Sequence, residues 1–376
     1  MIKLTFTGDI MCSKEYINYT KLRKHEISYD CALSEIKNYF SNSDYAIANL
    51  ETPIAGKSFD YTSHKWSFNA PIDFAKSLKH AGIDMVTTAN NHCLDRGVDG
   101  LLGTIKNLDK IGLEHTGTFY DTLSKGRYLL KDICGIKVAF MSYTYGTNAS
   151  FNKCYLSKRQ KTLINMFQSQ ERSASRWNLL FRYVNQKIYN SPKYRFNKSL
   201  DFIDSEVKRA RLDGAEYIVL LMHAGGQYGQ YPSADAVYLA DKLSGLNIDA
   251  IIGNHEHVVH EMSVNSNRQI VAYSLGNFMS FPYTEGVPYD GYLNKTNYSS
   301  ILNLYLEKDE DKVRLKRATF SLVKNAIDQG EYRVRVLDAK DKDEIDYLVS
   351  KVLNKQRGSN HHPNLAEYLI YEERQI

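Results

Sequence analysis

The chain has 376 residues, 43% hydrophobic and 24% charged, enough for one large domain or two modest ones with a sizeable core. That composition excludes a disordered polar chain and a small cross-linked scaffold. A formal net charge of +5 is a weak signal over this length, and the five cysteines (12, 31, 93, 134, 154) form no Cys-x-x-Cys pair and read as reduced thiols.

In chain order, the predicted elements begin with a strand at 2–7 (Ile-Lys-Leu-Thr-Phe-Thr), ended by Gly8. A helix is expected over 30–42 and a second strand over 45–50 (Tyr-Ala-Ile-Ala-Asn-Leu). Pro71 suits the first turn of a helix over 71–81. A strand at 83–89, a helix at 98–111 running to Gly112, and a strand at 136–143 follow. This alternation argues for a layered α/β fold with strands buried on both faces. It resumes with a helix over 199–213, a strand at 216–222, a helix at 233–245 and a strand at 249–252. After 268 the segments 269–275, 299–306, 312–322 and 331–338 alternate apolar and polar residues, which predicts antiparallel strands and a second sheet. Residues 341–376 read as a helical extension beyond a domain spanning 1–340.

One segment breaks the pattern. Residues 152–199 carry eleven Lys or Arg against a single acid, Glu171, a net +10 that leaves −5 for the rest of the chain. Lying between two core strands, it reads as a basic helical insertion over 148–200 that caps the domain. A field this one-sided attracts anions. The expected partners are an anionic substrate such as an acidic polymer or a phosphorylated precursor, or an anionic bilayer surface. Nucleic acid ranks below them, because no recognised binding motif accompanies the charge.

No run approaches eighteen apolar residues, so no transmembrane segment is expected. The N-terminus enters a strand pattern directly, without the apolar stretch and cleavage site of a signal peptide. The expected location is the cytoplasm, with peripheral membrane association compatible with the basic segment.

Polar residues gather where the apolar strands end. Asp9 follows the first strand, Asn49 and Glu51 flank the end of the second, and Asn90, Asn91 and His92 follow the third. His223 follows strand 216–222, and His255 and His257 follow strand 249–252. In layered α/β proteins ligands bind outside the carboxyl ends of strands. A lone histidine there is usually bonded locally. A carboxylate, carboxamide or imidazole at each of these ends, with no Cys among them, fits a hydrolytic site for Mn, Fe or Zn. Residues two apart on extended backbone point the same way, so His255 and His257 are expected to face one cavity.

These boxes resemble a known family. Gly8-Asp9-Ile10-Met11, Asn49-Leu50-Glu51, Ala89-Asn90-Asn91-His92 with Asp95 and Gly97, His223, Gly253-Asn254-His255-Glu256-His257-Val258 and Ser274-Leu275-Gly276-Asn277-Phe278 occur in its order. It is the CapA-like (poly-γ-glutamate capsule synthesis) branch of the calcineurin-like metallophosphoesterases. The resemblance covers about residues 2–145 and 200–305 and implies a layered α/β/β/α sandwich with two facing sheets. It further implies metal ligation by Asp9, Glu51 (as the bridging carboxylate), Asn91, His223, His255 and His257, with one or two divalent ions per chain. His92 resembles the histidine that protonates the leaving oxygen or steadies transition-state charge. Asp95 would orient that imidazole, or cap the helix that follows. Gly253-Asn254-His255-Glu256 spells the superfamily's asparagine box, but its last place in the order makes it the paired-histidine box.

One position departs from the wider superfamily. Met11 stands where Asp-x-His would put an imidazole, and a thioether is a poor ligand for a hard divalent ion. Unequal ion sites are therefore expected. Among the neighbours, His260 is expected to pack or face solvent, and Asn277, after a glycine, to serve a turn or touch substrate. Cys12 and Cys93 are expected to be packed small residues. The implied function is metal-dependent hydrolysis of phosphoester type, connected with capsule, poly-γ-glutamate or exopolysaccharide synthesis alongside other capsule-synthesis proteins. The competing reading is a weakly catalytic or non-catalytic polymer-handling factor, or an amide hydrolase acting on an acidic polymer.

Overall fold

The computed structural model describes residues 1–22, 29–63, 66–121, 126–168, 170, 191–282, 294–310, 312–354 and 367–373. The centre of the basic insertion, 171–190, lies outside them.

The strands in chain order are β1 (Ile2–Ile10), β2 (Tyr45–Leu50), β3 (Met85–Thr87), β4 (Glu114–Thr116), β5 (Leu129–Ile133), β6 (Ile136–Thr144), β7 (Tyr217–His223) and β8 (Ala250–Asn254). They continue with β9 (Met262–Val264), β10 (Ile270–Ala272), β11 (Asn277–Met279), β12 (Tyr298–Asp309), β13 (Lys312–Asp328), β14 (Glu331–Val336) and β15 (Tyr368–Glu372). One sheet has the order β14-β13-β12-β1-β2-β3-β4, with β11 also on β1 and β15 on β13. The other has the order β5-β6-β7-β8-β10-β9.

The two-residue period of each strand divides its side chains between layers. Leu4, Phe6, Tyr45 and Ile47 of the first sheet share one apolar cluster with Val138, Phe140, Val219 and Ile252 of the second, so the sheets pack face to face. The alternate residues face outward. Ala46, Ala48 and Leu50 pack against Tyr16 and Ile17 of the helix Lys14–Leu22 and Phe74 and Leu78 of the helix Ile72–His80. Met141, Ile218, Leu220 and Ile251 pack against Ile203 and Val207 of the helix Pro192–Leu212 and Leu239 and Leu243 of the helix Ala234–Ser244. The result is the expected α/β/β/α layering, in which each fully buried large aliphatic or aromatic side chain stabilises by about 1.5–3 kcal/mol.

Local signals explain several ends. The helix Gly97–Ile111 stops at Gly112, whose φ of 67° suits glycine. Ser191 and Ser233 cap their helices by accepting from the backbone N–H groups of Tyr194 and Ala236. The helix expected over 30–42 is broken into Asp30–Leu33 and Lys37–Ser41. At the break, the Ser34 hydroxyl donates to the Cys31 carbonyl (2.9 Å), tightening the turn. All five cysteines are free, and Cys12 and Cys93 are buried as expected.

Three expectations change. Of the segments expected to form the second sheet, 269–275 does so as β10, but those from 299 on do not; β12 pairs with β1 (Leu4 with Leu304), so both ends of the domain build the first sheet. The second sheet comes from 129–272, because β6, β7 and β8 pair in parallel. Residues 341–376 are not uniformly helical: the helix Lys342–Val352 packs Ile345, Leu348 and Val349 onto the inter-sheet core, and Tyr368–Glu372 adds an edge strand to β13. The helix predicted from 199 starts at Pro192, so Lys193, Arg195 and Lys198 ride on a core helix. Among the described residues, no helix is long and apolar enough to cross a membrane.

Candidate metal centre

Asp9, Glu51, Asn91, His92, His223, His255 and His257 converge where β1, β2, β7 and β8 end. β1 runs parallel to β2 with Asp9 opposite Asn49, and parallel to β11 with Asp9 opposite Asn277. Gly8 permits the latter pairing, since a Cβ there would lie 1.9 Å from the Gly276 carbonyl oxygen. Gly253 is under the same constraint, with a Cβ 1.9 Å from the Tyr273 carbonyl oxygen.

The donors fall into two groups that share Glu51. Glu51, His223 and His255 form one; Asp9, Glu51 and His257 form the other; within each, the donor atoms lie within 4.8 Å of one another. Glu51 is fully buried, and neither carboxylate oxygen has a hydrogen-bond partner. Its Oε1 lies 3.4 Å from His223 Nε2, and its Oε2 lies 3.9 Å from His257 Nδ1. Asn91 joins the first group, its Oδ1 2.7 Å from His223 Nε2. His255 Nδ1 is also buried without a partner. A buried carboxylate and imidazole left this way cost free energy unless something else binds them. The all-oxygen-and-nitrogen set fits divalent ions such as Mn, Fe or Zn.

The local electrostatics follow. Burial opposes ionisation of Asp9, yet the hydrogen bond from His257 and the nearby histidines hold its carboxyl below the ordinary value. Burial and then the surrounding imidazoles push His255 well down, leaving it neutral and able to ligate. Burial would lower His257 too, but the Glu51 and Asp9 carboxylates raise it to about 9.

The paired histidines differ from their expected geometry. Both lie past the end of β8 with positive φ, 91° at His255 and 60° at His257, so the backbone is not extended there. Their rings, 5.8 Å apart, serve different groups. Positive φ at two non-glycine residues is strain of the kind that collects at functional sites.

His92 stands beside both groups and belongs to neither. Its Nδ1 pairs with Asp95 Oδ2 at 2.8 Å, and its Nε2 lies 3.9 Å from Glu51 Oε1. Asp95 therefore orients the imidazole; it also accepts from the Phe68 backbone N–H (2.7 Å) and from Asn152 Nδ2 (3.0 Å). Asn152 ties the start of the basic segment to this dyad. His260 is buried, its Nδ1 2.5 Å from Glu256 Oε2. Glu256 Oε1 accepts from the backbone N–H groups of Gly226 and Ser233 (2.9 and 3.0 Å), so this pair anchors the loop after β7.

Sequence reasoning assigned no role to several supports. Asn49 donates to Asp9 Oδ1 (2.7 Å), lies 3.2 Å from His223 Nδ1, and accepts from the Thr87 hydroxyl. Tyr145 packs its ring 4.5 Å from His255, and Tyr228 stacks on His257 at 5.5 Å. Burial and the Glu51 charge push the Tyr145 phenol up to about 12. Asn49 was visible at a strand end; the two tyrosines had no signal among 28 in the chain.

The chain is 24% identical over 281 residues to "Capsule biosynthesis protein CapA" of Bacillus anthracis, covering 74% of this chain and 59% of that protein. It is 23% identical over 313 residues to "PGA biosynthesis protein CapA" of Bacillus subtilis (strain 168), covering 82% and 69%. The chain thus spans about three fifths of the first relative's length. Among solved structures, the calcineurin-like phosphoesterase YfkN from Bacillus subtilis superposes with a TM-score of 0.43 and 15% identity, over 85% of this chain and 90% of that one. The family described as "Bacterial capsule synthesis protein PGA_cap" matches residues 3–281, most of the chain and every residue of the candidate centre, and the chain belongs to that family.

Proposed function

We propose that the chain is a divalent-metal-dependent hydrolase of phosphoester type that serves capsule or poly-γ-glutamate synthesis. The observation that carries this reading is Glu51, a buried carboxylate without hydrogen bonds whose two oxygens face two separate donor groups. Asp9, Glu51 and His257 would hold one ion, and Glu51, Asn91, His223 and His255 the other. Bound there, such ions polarise a phosphoryl or acyl oxygen and lower the pKa of water.

The protein's own groups do the rest. Asp95 accepts a hydrogen bond from the Nδ1–H of His92, which leaves Nε2 turned toward the site. As the imidazolium, with a second proton on Nε2, His92 would pass that proton to the leaving oxygen and return to the neutral ring. Tyr145, Tyr228 and Phe68 pack around the three imidazoles and limit the water near them.

The basic segment would act as a cap that recruits an acidic substrate. Its described start packs Leu156, Leu163 and Ile164 against the helix Gly97–Ile111, and Lys158 and Arg159 are exposed. Replacing Lys158, Arg159 and Lys161 with Gln should raise KM for an acidic polymer and flatten its salt dependence, since screening acts over about 10 Å at 0.1 M salt. Turnover of a small aryl ester should stay as in wild type. Unchanged polymer binding at low salt would make the segment a solvated surface.

Metal analysis combined with aryl phosphate hydrolysis tests the main reading. Bound metal and metal-dependent turnover are expected. Bound metal with no turnover of any phosphoester would favour a polymer-handling role or an amide substrate, which the biosynthesis names of the relatives also accommodate. Absence of bound metal would overturn the hydrolase reading.

A further inference from the structure

The two donor groups look unequal by sequence, because Met11 occupies the place of an imidazole beside Asp9. The geometry places another oxygen, that of the Asn277 side chain, beside the Asp9 group. Asn277 is buried, and its strand β11 runs parallel to β1, which sets it directly opposite Asp9. Its Oδ1 lies 2.9 Å from His257 Nδ1. The same nitrogen lies 3.4 Å from Asp9 Oδ2 and 3.9 Å from Glu51 Oε2.

The other half of the centre has the same pattern. There Asn91 Oδ1 lies 2.7 Å from His223 Nε2, and that nitrogen lies 3.4 Å from Glu51 Oε1. In each half a carboxamide oxygen and a carboxylate oxygen converge on one imidazole nitrogen. Two donors each about 2.1 Å from a shared ion lie ~3.0 Å apart at a right angle and ~3.4 Å apart at a tetrahedral one. The carboxamide separations of 2.7 and 2.9 Å and one carboxylate separation of 3.4 Å in each half fall near these values, and only Glu51 Oε2, at 3.9 Å from His257 Nδ1, stands wider.

The carboxamide is also held in this orientation. Asn277 Nδ2 donates to the Thr296 carbonyl (3.0 Å), which turns Oδ1 toward His257. Asn325 Nδ2 donates to the Asn277 backbone carbonyl (2.8 Å), and the Asn325 Oδ1 in turn accepts from the Tyr332 hydroxyl (2.7 Å). A residue needed only for a turn would not require its side-chain amide and its backbone carbonyl to be fixed separately.

We propose that Asn277 is an oxygen ligand of the divalent ion held by Asp9, Glu51 and His257, taking there the part that Asn91 takes in the other half. This rests on the metal reading above and adds a ligand to it. Asn277 thereby supplies the donor that Met11 does not.

Titration of the metal-free protein with Mn²⁺, followed by calorimetry, tests this. In Asn277→Ala the uptake at the Asp9 half should weaken at least tenfold, the lower end of what losing even a supporting partner costs. Uptake at the His223 half should persist, and His223→Ala should give the reverse pattern. Asn277→Asp keeps an oxygen at the position and should retain both events, which also covers an alanine variant that fails to fold. An Asn277→Ala chain that takes up Mn²⁺ as wild type does would overturn the assignment while leaving the metal centre intact. Asn277→Asp as weak as Asn277→Ala would show that the carboxamide only steadies the loop, and would overturn it too. A wild-type chain that takes up no Mn²⁺ would instead remove the metal reading itself.

Discussion

Glu51→Gln should empty both halves of the centre at once, whereas His223→Ala should empty one. The substitution preserves side-chain volume and removes only charge and one acceptor. Glu51 alone belongs to both donor groups. Each ion would lose its shared anion in a site with little water to replace it, since Asp9, Glu51, His223, His255 and His257 are all buried. Losing a supporting partner typically costs metal sites about 10- to 100-fold in affinity, and a shared ligand should cost at least the upper end in both halves. A thermal readout follows by mass action. At a metal concentration 100 times Kd, each site adds about 2.7 kcal/mol to the folded state. Wild type should therefore melt higher with Mn²⁺ than with chelator, and Glu51→Gln should lose most of that difference. Elemental analysis showing one retained equivalent in Glu51→Gln would mean that the two groups do not share this carboxylate.

His92→Ala should keep its metal and lose about 10²–10⁴-fold in turnover. Neither donor group includes His92, and its Nδ1 is already engaged by Asp95. The loss should grow with the basicity of the leaving group, because a proton donor matters most when the departing oxygen is a poor leaving group. Comparing an alkyl phosphate with a nitrophenyl phosphate separates this from a general disturbance. Asp95→Asn leaves the imidazole present but less firmly oriented, and should cost less, about 10- to 100-fold. Metal lost in proportion to activity in His92→Ala would make His92 a ligand.

Much of this centre was readable in the chain because its signals are local. Each candidate ligand stands at or within about five residues of the end of an apolar run, and His223 directly follows Tyr-Ile-Val-Leu-Leu-Met. A buried strand must end where its backbone meets solvent or a ligand, so its next polar residue reports the rim of the sheet. The helices at 72–80 and 97–111 were legible for a similar reason, through Pro71 at one start and Gly112 at one end. The broken helix at 34–36 was not, because a serine hydroxyl bonding back to a carbonyl competes with an otherwise good helical pattern.

Sheet membership depended on pairing across nearly the whole chain. Ile2–Phe6 joins Leu302–Leu306, a choice that alternation alone leaves open, since any alternating strand offers the same two faces. The division of donors into two groups had the same origin. His255 and His257 stand two apart, yet positive φ at both turns their rings to different sides of Glu51.

The sequence by itself determined the layered α/β class and the residue types at the strand ends, because periodicity and strand termination act over a few neighbouring residues. Only the tertiary structure decided which donors stand together in each group and that Asn277 stands beside Asp9. Those distances are set by the parallel docking of β11 on β1, between residues 268 positions apart, and no local pattern encodes a contact of that range.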